Sequence, residues 1–178
     1  LNTTTGNYNT VVGNYALAVN QAGERNTAIG RAAMYANSSG NYNTALGYDA
    51  LAGNTTASNN TALGYQSLYA NTTGLENTAV GHESLRANTT GNYNTAVGQG
   101  SLSANTTGGQ NSAFGQDALL SNTASNNTAL GYSAAYSNTS GTELTAVGRV
   151  ALGLNTTGNY NTAVGAYALD ANTTGSNN

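Results

Sequence analysis

The chain is 178 residues long, carries four arginines and seven carboxylates for a net charge of −3, and contains no cysteine, proline or tryptophan. Charge this sparse offers no basic stripe for a phosphate backbone, and no apolar run has the length of a membrane span, so nucleic acid and bilayer insertion are both poor fits. The missing cysteines remove disulfide and thiolate–metal frameworks without assigning a compartment, and the excess of Asn, Thr, Gly and Ala is foreign to ordinary globular domains.

Read from its start, the chain repeats itself. An Asn-Thr-Ala-aliphatic-Gly motif places glycine at 13, 30, 47, 64, 81, 98, 115, 131, 148 and 165, a spacing of 17 residues with a single 16 between Gly115 and Gly131. The segment Ala87-Asn-Thr-Thr-Gly-Asn-Tyr-Asn-Thr-Ala-Val-Gly98 is representative of the unit. In the short spacing, Asn122-Thr-Ala-Ser-Asn-Asn127 matches Asn54-Thr-Thr-Ala-Ser-Asn-Asn60 with one threonine removed. The loss falls in a polar turn, where it leaves the apolar positions in phase. The array runs over 1–178 as a single repeat domain. Leu1 already stands inside a repeat and Asn178 stops where the next Thr-Ala-Val would begin, so a segment of a longer chain is expected.

Disorder is the competing reading of such low complexity, but disordered tracts lack regularly placed large apolar residues. Here one apolar column precedes each glycine, with Val80, Val97 and Phe114 as examples, and another lies four residues after it, with Leu85, Leu102 and Leu119. These six are the expected core. Thr-Ala-Val-Gly reads as one strand and the following Ala-Leu-x-Ala as a second, because four residues before an Asn-Thr-Thr-Gly stop are too few for a stable helix. Asn-Thr-Thr-Gly-x-Tyr-Asn is then the turn. Two strands per 17 residues predict an all-β fold, a parallel β-solenoid of ten coils that rises about 4.8 Å per coil and spans about 48 Å.

Stacking gives the asparagines a role. Asn37, Asn54, Asn71, Asn88 and Asn105 hold one phase, and Asn43, Asn60, Asn77 and Asn94 hold a second that only Leu144 interrupts. Such columns predict side-chain amide ladders, each amide donating to one neighbouring coil and accepting from the other. Glycosylation or sugar binding at the Asn-x-Thr triplets is weaker, since the asparagines keep their phase where the triplet is lost, as at Asn122. Two large aliphatic residues per coil make a thin core. Period-two alternation would turn Ala79, Ala96 and Ala113 outward if their aliphatic neighbours point in. An outward column that is nearly always Ala predicts close approach of another chain, hence a homo-oligomer that Ala96→Glu would separate.

The motifs Asn94-Thr-Ala-Val-Gly98, Asn77-Thr-Ala-Val-Gly81 and Asn26-Thr-Ala-Ile-Gly30 resemble the head repeats of trimeric autotransporter adhesins and the Asn-Thr-Ala-aliphatic-Gly repeats of phage tail fibres. The resemblance implies a left-handed parallel β-roll, three chains about a common axis, and attachment at a cell surface or virion. Adhesin head repeats are shorter than 17 residues, and the Asn-Thr-Thr-Gly turn makes up the difference.

Catalysis, cofactors and metal sites are not expected. His82 occupies a variable column just after a repeat glycine. Asp49, Glu83 and Asp117 share a column in separated coils, with no partner at catalytic spacing. Calcium repeat and phosphate-loop motifs are absent. The tyrosines are more informative: Tyr48, Tyr65 and Tyr132 follow the glycine, Tyr69 and Tyr136 lie five after it, and their columns mix with polar residues. They are expected to be exposed and able to stack on a glycan or protein receptor. The functional expectation is an extracellular structural or adhesive fibre segment, with end-to-end stacking as a further mode of self-association. The alternative is an ice-binding solenoid, disfavoured because the adjacent Thr-Thr pair points to opposite sides and no Thr-x-Thr shares a face.

Overall fold

A computed structural model describes residues 5–178, so the expectation placed on Leu1 lies outside the described residues. Ten strands of three residues follow one another: β1 Thr10–Val12, β2 Thr27–Ile29, β3 Thr44–Leu46, β4 Thr61–Leu63, β5 Thr78–Val80, β6 Thr95–Val97, β7 Ser112–Phe114, β8 Thr128–Leu130, β9 Thr145–Val147 and β10 Thr162–Val164. They form one sheet in sequence order, every neighbouring pair parallel and equivalent residues facing each other, as in Thr78↔Thr95, Ala79↔Ala96 and Val80↔Val97. No described residue is helical. The chain is the expected all-β parallel solenoid, with each 17-residue period making one coil.

Each strand ends on the repeat glycine, whose φ lies between 127° and 140°. A Cβ on Gly81 would sit 2.7 Å from the carbonyl carbon and oxygen of Gly98, so successive backbones at this corner touch without side chains between them.

Two expectations are corrected. The inward residue of each strand is the alanine: Ala79, Ala96 and Ala113 are fully buried, whereas Val80 and Val97 are only partly covered and Phe114 is 41% exposed. Alternation holds, but its phase is inverted. The interior of one coil takes a single large side chain, the leucine four residues after the glycine, and the facing strand can then offer only a methyl group. Leu85, Leu102 and Leu119 are fully buried as expected. Phe114 in an interior column would be expected to widen its coil locally, but it lies on the outside and the registers of β7 with β6 and β8 are regular.

The second correction concerns Ala-Leu-x-Ala, which is a run of turns and no strand. Consecutive residues Ala50 and Leu51, Ser84 and Leu85, and Ala118 and Leu119 are all buried, which a period-two strand cannot achieve. The chain solves this with left-handed residues two and four after the glycine, such as Glu83 at φ 55° and Leu85 at φ 51°. Their amides reach opposite ways along the stack, Glu83 N donating to Tyr65 O and Leu85 N to Ser101 O, each at 2.9 Å. Left-handed geometry at a bulky residue costs about 1–3 kcal/mol, and here it delivers a buried side chain and an intercoil hydrogen bond together.

Candidate functional site

Three surfaces along the coil could do chemical or mechanical work: the internal amide columns, the outer sheet face and the turn face that carries the tyrosines.

The expected ladder asparagines are fully buried and bonded. Asn54 Nδ2 donates to Asn37 Oδ1, Asn71 Nδ2 to Asn54 Oδ1, Asn88 Nδ2 to Asn71 Oδ1 and Asn105 Nδ2 to Asn88 Oδ1, at 2.8 to 3.1 Å. The second column works through the backbone: Asn94 N donates to Asn77 Oδ1 at 3.0 Å and Asn77 N to Asn60 Oδ1 at 2.9 Å. Sequence reasoning missed that the two columns converge. The carbonyl of Gly91 accepts Asn88 Nδ2 from its own coil at 3.0 Å and Asn77 Nδ2 from the preceding coil at 2.8 Å. The amides thus close the turn onto the stack, so these columns are structural, buried from any ligand.

The outer sheet face presents two columns, Thr or Ser at the start of each strand and the aliphatic or aromatic residue at its end. Leu46, Phe114 and Leu130 are among its exposed members, Leu130 at 50%. Ala79, Ala96 and Ala113 lie beneath this face and cannot meet another chain, which corrects the expected interface.

On the turn face, one period sets side chains of equal phase a coil rise apart, about 4.8 Å, close to ring-stacking distance. Tyr48 and Tyr65 stack with centroids 5.4 Å apart, and Tyr65 stacks on His82 at 5.1 Å. The Arg31 guanidinium lies 4.9 Å over Tyr48 and Arg86 lies 5.8 Å over Tyr69. Tyr48, Tyr65, Tyr69, Tyr132 and Tyr136 are all exposed, as expected. His82 belongs to this stack. The carboxylates of the shared column stay apart: Asp49 sits 3.7 Å from Arg31, Glu83 is 3.7 Å from Arg86, and Asp117 accepts a bond from Gln116 at 3.2 Å.

Two clefts open on this face. One, of about 310 Å³, lies between Tyr35 and Tyr69 with Arg31 and Asp49 beside it. The other brings Tyr132 and Tyr136 together with Asp117. The signal for the first was present but unread: the column five after the glycine runs Tyr35, Ala52, Tyr69, a small residue between two rings.

Among the described residues no group of three His, Cys, Asp or Glu side chains converges as a metal site, and no helix is long and apolar enough to cross a membrane. Compared with protein-family models, curated proteins and solved structures, the chain has no match.

Proposed function

We propose that this chain is a structural segment of an extracellular adhesive fibre, of the cell-surface adhesin or phage tail-fibre kind, in which copies of the chain, three in the simplest arrangement, pack side by side. No catalytic role is part of this reading. The observation that carries it is the line of Val, Ile, Leu and Phe side chains along the outer face of a ten-stranded parallel sheet. Aliphatic groups repeated coil after coil on one surface form a contiguous apolar stripe, which marks an interaction site. A second copy with the same period presents a stripe of matching pitch, so self-association satisfies every coil at once. The Tyr-bearing turn face would remain outside such a bundle as the surface for a receptor.

The test contrasts neighbours on one strand. Val97→Glu places a charge on the stripe and should leave the fold intact while reducing the molar mass in light scattering to that of one chain. Ala96→Glu forces a carboxylate into the closed interior and should abolish the β-sheet circular dichroism instead. A parent chain that is a stable monomer, or a folded Val97→Glu of unchanged mass, would overturn side-by-side packing.

The outward Thr column favours a second reading, ice binding, because Thr78, Thr95 and their equivalents share one face at constant spacing. The bulky Phe114 and Leu130 beside them roughen that face, which argues for self-association. A thermal-hysteresis measurement on the purified chain separates the two readings, with none expected.

A further inference from the structure

In the column five residues after the repeat glycine, a small residue separates two tyrosines. Tyr35 and Tyr69 stand at equivalent positions two coils apart, and the coil between them offers Ala52 and then Gly53, so no side chain fills the space between the rings. Tyr69 is covered on its far side by the Arg86 guanidinium, 5.8 Å from its centroid. Arg86 is itself held by Gln66 at 3.1 Å and Glu83 at 3.7 Å. The ring is therefore stacked along the axis, with its other face turned to the gap. Asp49 borders the cleft, and its charge partner, Arg31, is 3.7 Å away, beyond full hydrogen-bond distance.

We propose that this slot binds one neutral pyranose residue of a surface glycan, which specifies the receptor-contact part of the fibre reading and rests on it. The argument is one of thickness and polarity. Two coil rises separate the rings by about 9.6 Å, so a guest midway lies about 4.8 Å from each. Rings one coil apart already stack on this face, so a flat aromatic guest fits the same depth and polarity makes the choice. A sugar chair, with axial hydrogens projecting from each face, fills it and meets each tyrosine with C–H groups. Its equatorial hydroxyls then point sideways, where the Asp49 carboxylate accepts and the Arg31 guanidinium donates. The opposed charges of that pair favour a neutral sugar over an acidic one.

The probes are the methyl glycosides of glucose, galactose and mannose, observed by saturation-transfer NMR on the parent chain, with sialic acid methyl glycoside and phenol as competitors of other chemistry. At least one neutral glycoside should give saturation transfer, and sialoside and phenol should not displace it. Ala52→Tyr should abolish binding by filling the slot with a side chain that both neighbouring coils already carry at this position. Tyr69→Ala should weaken binding by about tenfold or more, and Tyr136→Ala, at the other cleft, should not. Far-UV circular dichroism checks each fold; if Ala52→Tyr unfolds, Tyr35→Ala and Tyr69→Ala decide. No transfer from any neutral glycoside, unchanged binding in a folded Ala52→Tyr, or stronger binding of phenol would overturn the proposal. A monomeric parent, or a folded Val97→Glu of unchanged mass, with sugar binding intact would overturn side-by-side packing and leave the slot standing, whereas loss of mass in Val97→Glu with no sugar binding by the parent would leave the fibre standing without the slot.

Discussion

Between Asn37 and Asn105 the first amide column is continuous, whereas between Asn105 and Asn161 the amide system is cut twice, and the two cuts differ in kind. The first follows the missing threonine. Asn122 Nδ2 donates to Ala124 O and does not reach Asn105, whose Oδ1 is buried without a partner. Thr89 N and Thr90 N both donate to Thr106 O, yet Thr106 and Thr107 make no such bonds to the shortened corner. The second cut is chemical: Leu144 keeps its backbone bond to Asn127 Oδ1 but offers no amide to Gly158 O and no acceptor to Asn161 N. Sheet register passes through both regions unchanged, Ser112↔Thr128 and Thr128↔Thr145. The strands and the buried leucines therefore set the period, and the amides close corners that the stack can tolerate open at a cost.

The largest effect should come from cutting the intact run. Asn71 Nδ2 donates to Asn54 Oδ1 and Gly74 O, and its Oδ1 accepts Asn88 Nδ2. Asn71→Ala removes three buried hydrogen bonds and leaves Asn54 Oδ1 in the state Asn105 Oδ1 already occupies. A loss of about 2–5 kcal/mol is expected, since each buried polar group left unpaired costs about 1–3 kcal/mol. Urea denaturation measures it. A loss under 1 kcal/mol would mean that water enters the corner and satisfies the freed groups.

The same comparison shows what could be read from the residues. The period, the amide columns, the exposed tyrosines and the harmlessness of the deletion to the sheet were legible, because each depends only on phase. The phase of the strand itself was not. Nothing in Thr-Ala-Val says which neighbour faces inward, and preferring the larger side chain assumes an interior wide enough to hold it. The buried Leu85 and its left-handed φ of 51° settle the matter through geometry that sequence patterns seldom encode, since a bulky left-handed residue contradicts its own preference. The sugar-sized slot was hidden for a related reason. It is made by the small side chain of Ala52 between two tyrosines, and an alanine carries no chemical signal of its own.

An intermediate effect should follow from repairing the first cut. Inserting a threonine between Thr123 and Ala124 restores 17 residues to the coil and should let Asn122 reach Asn105 Oδ1. Satisfying that acceptor should raise stability by about 1–3 kcal/mol. Hydrogen exchange gives the local readout: amides from Asn105 to Asn127 should exchange faster than those from Asn71 to Asn94 in the parent, and at the same rate after the insertion. Equal rates in the parent would mean that the unpaired acceptor does not weaken its coil.

The smallest effect should come from the second cut. Leu144→Asn would return an amide to the column: Nδ2 toward Gly158 O, which already accepts Asn155 Nδ2 at 3.1 Å, and Oδ1 toward Asn161 N. Two hydrogen bonds gained at about 1 kcal/mol each are offset by the burial that leucine now supplies, about 1.5–3 kcal/mol for a large aliphatic side chain. The two terms nearly cancel, so the midpoint of thermal unfolding should move by only a few degrees, in either direction. What distinguishes the variant is locality. Asn161 N should become protected from exchange, because it acquires the acceptor that Asn94 N finds in Asn77 Oδ1 at 3.0 Å. A stable variant in which Asn161 N still exchanges freely would mean that the amide turns away from the column, and that the ladder forms only where every neighbour is already in place.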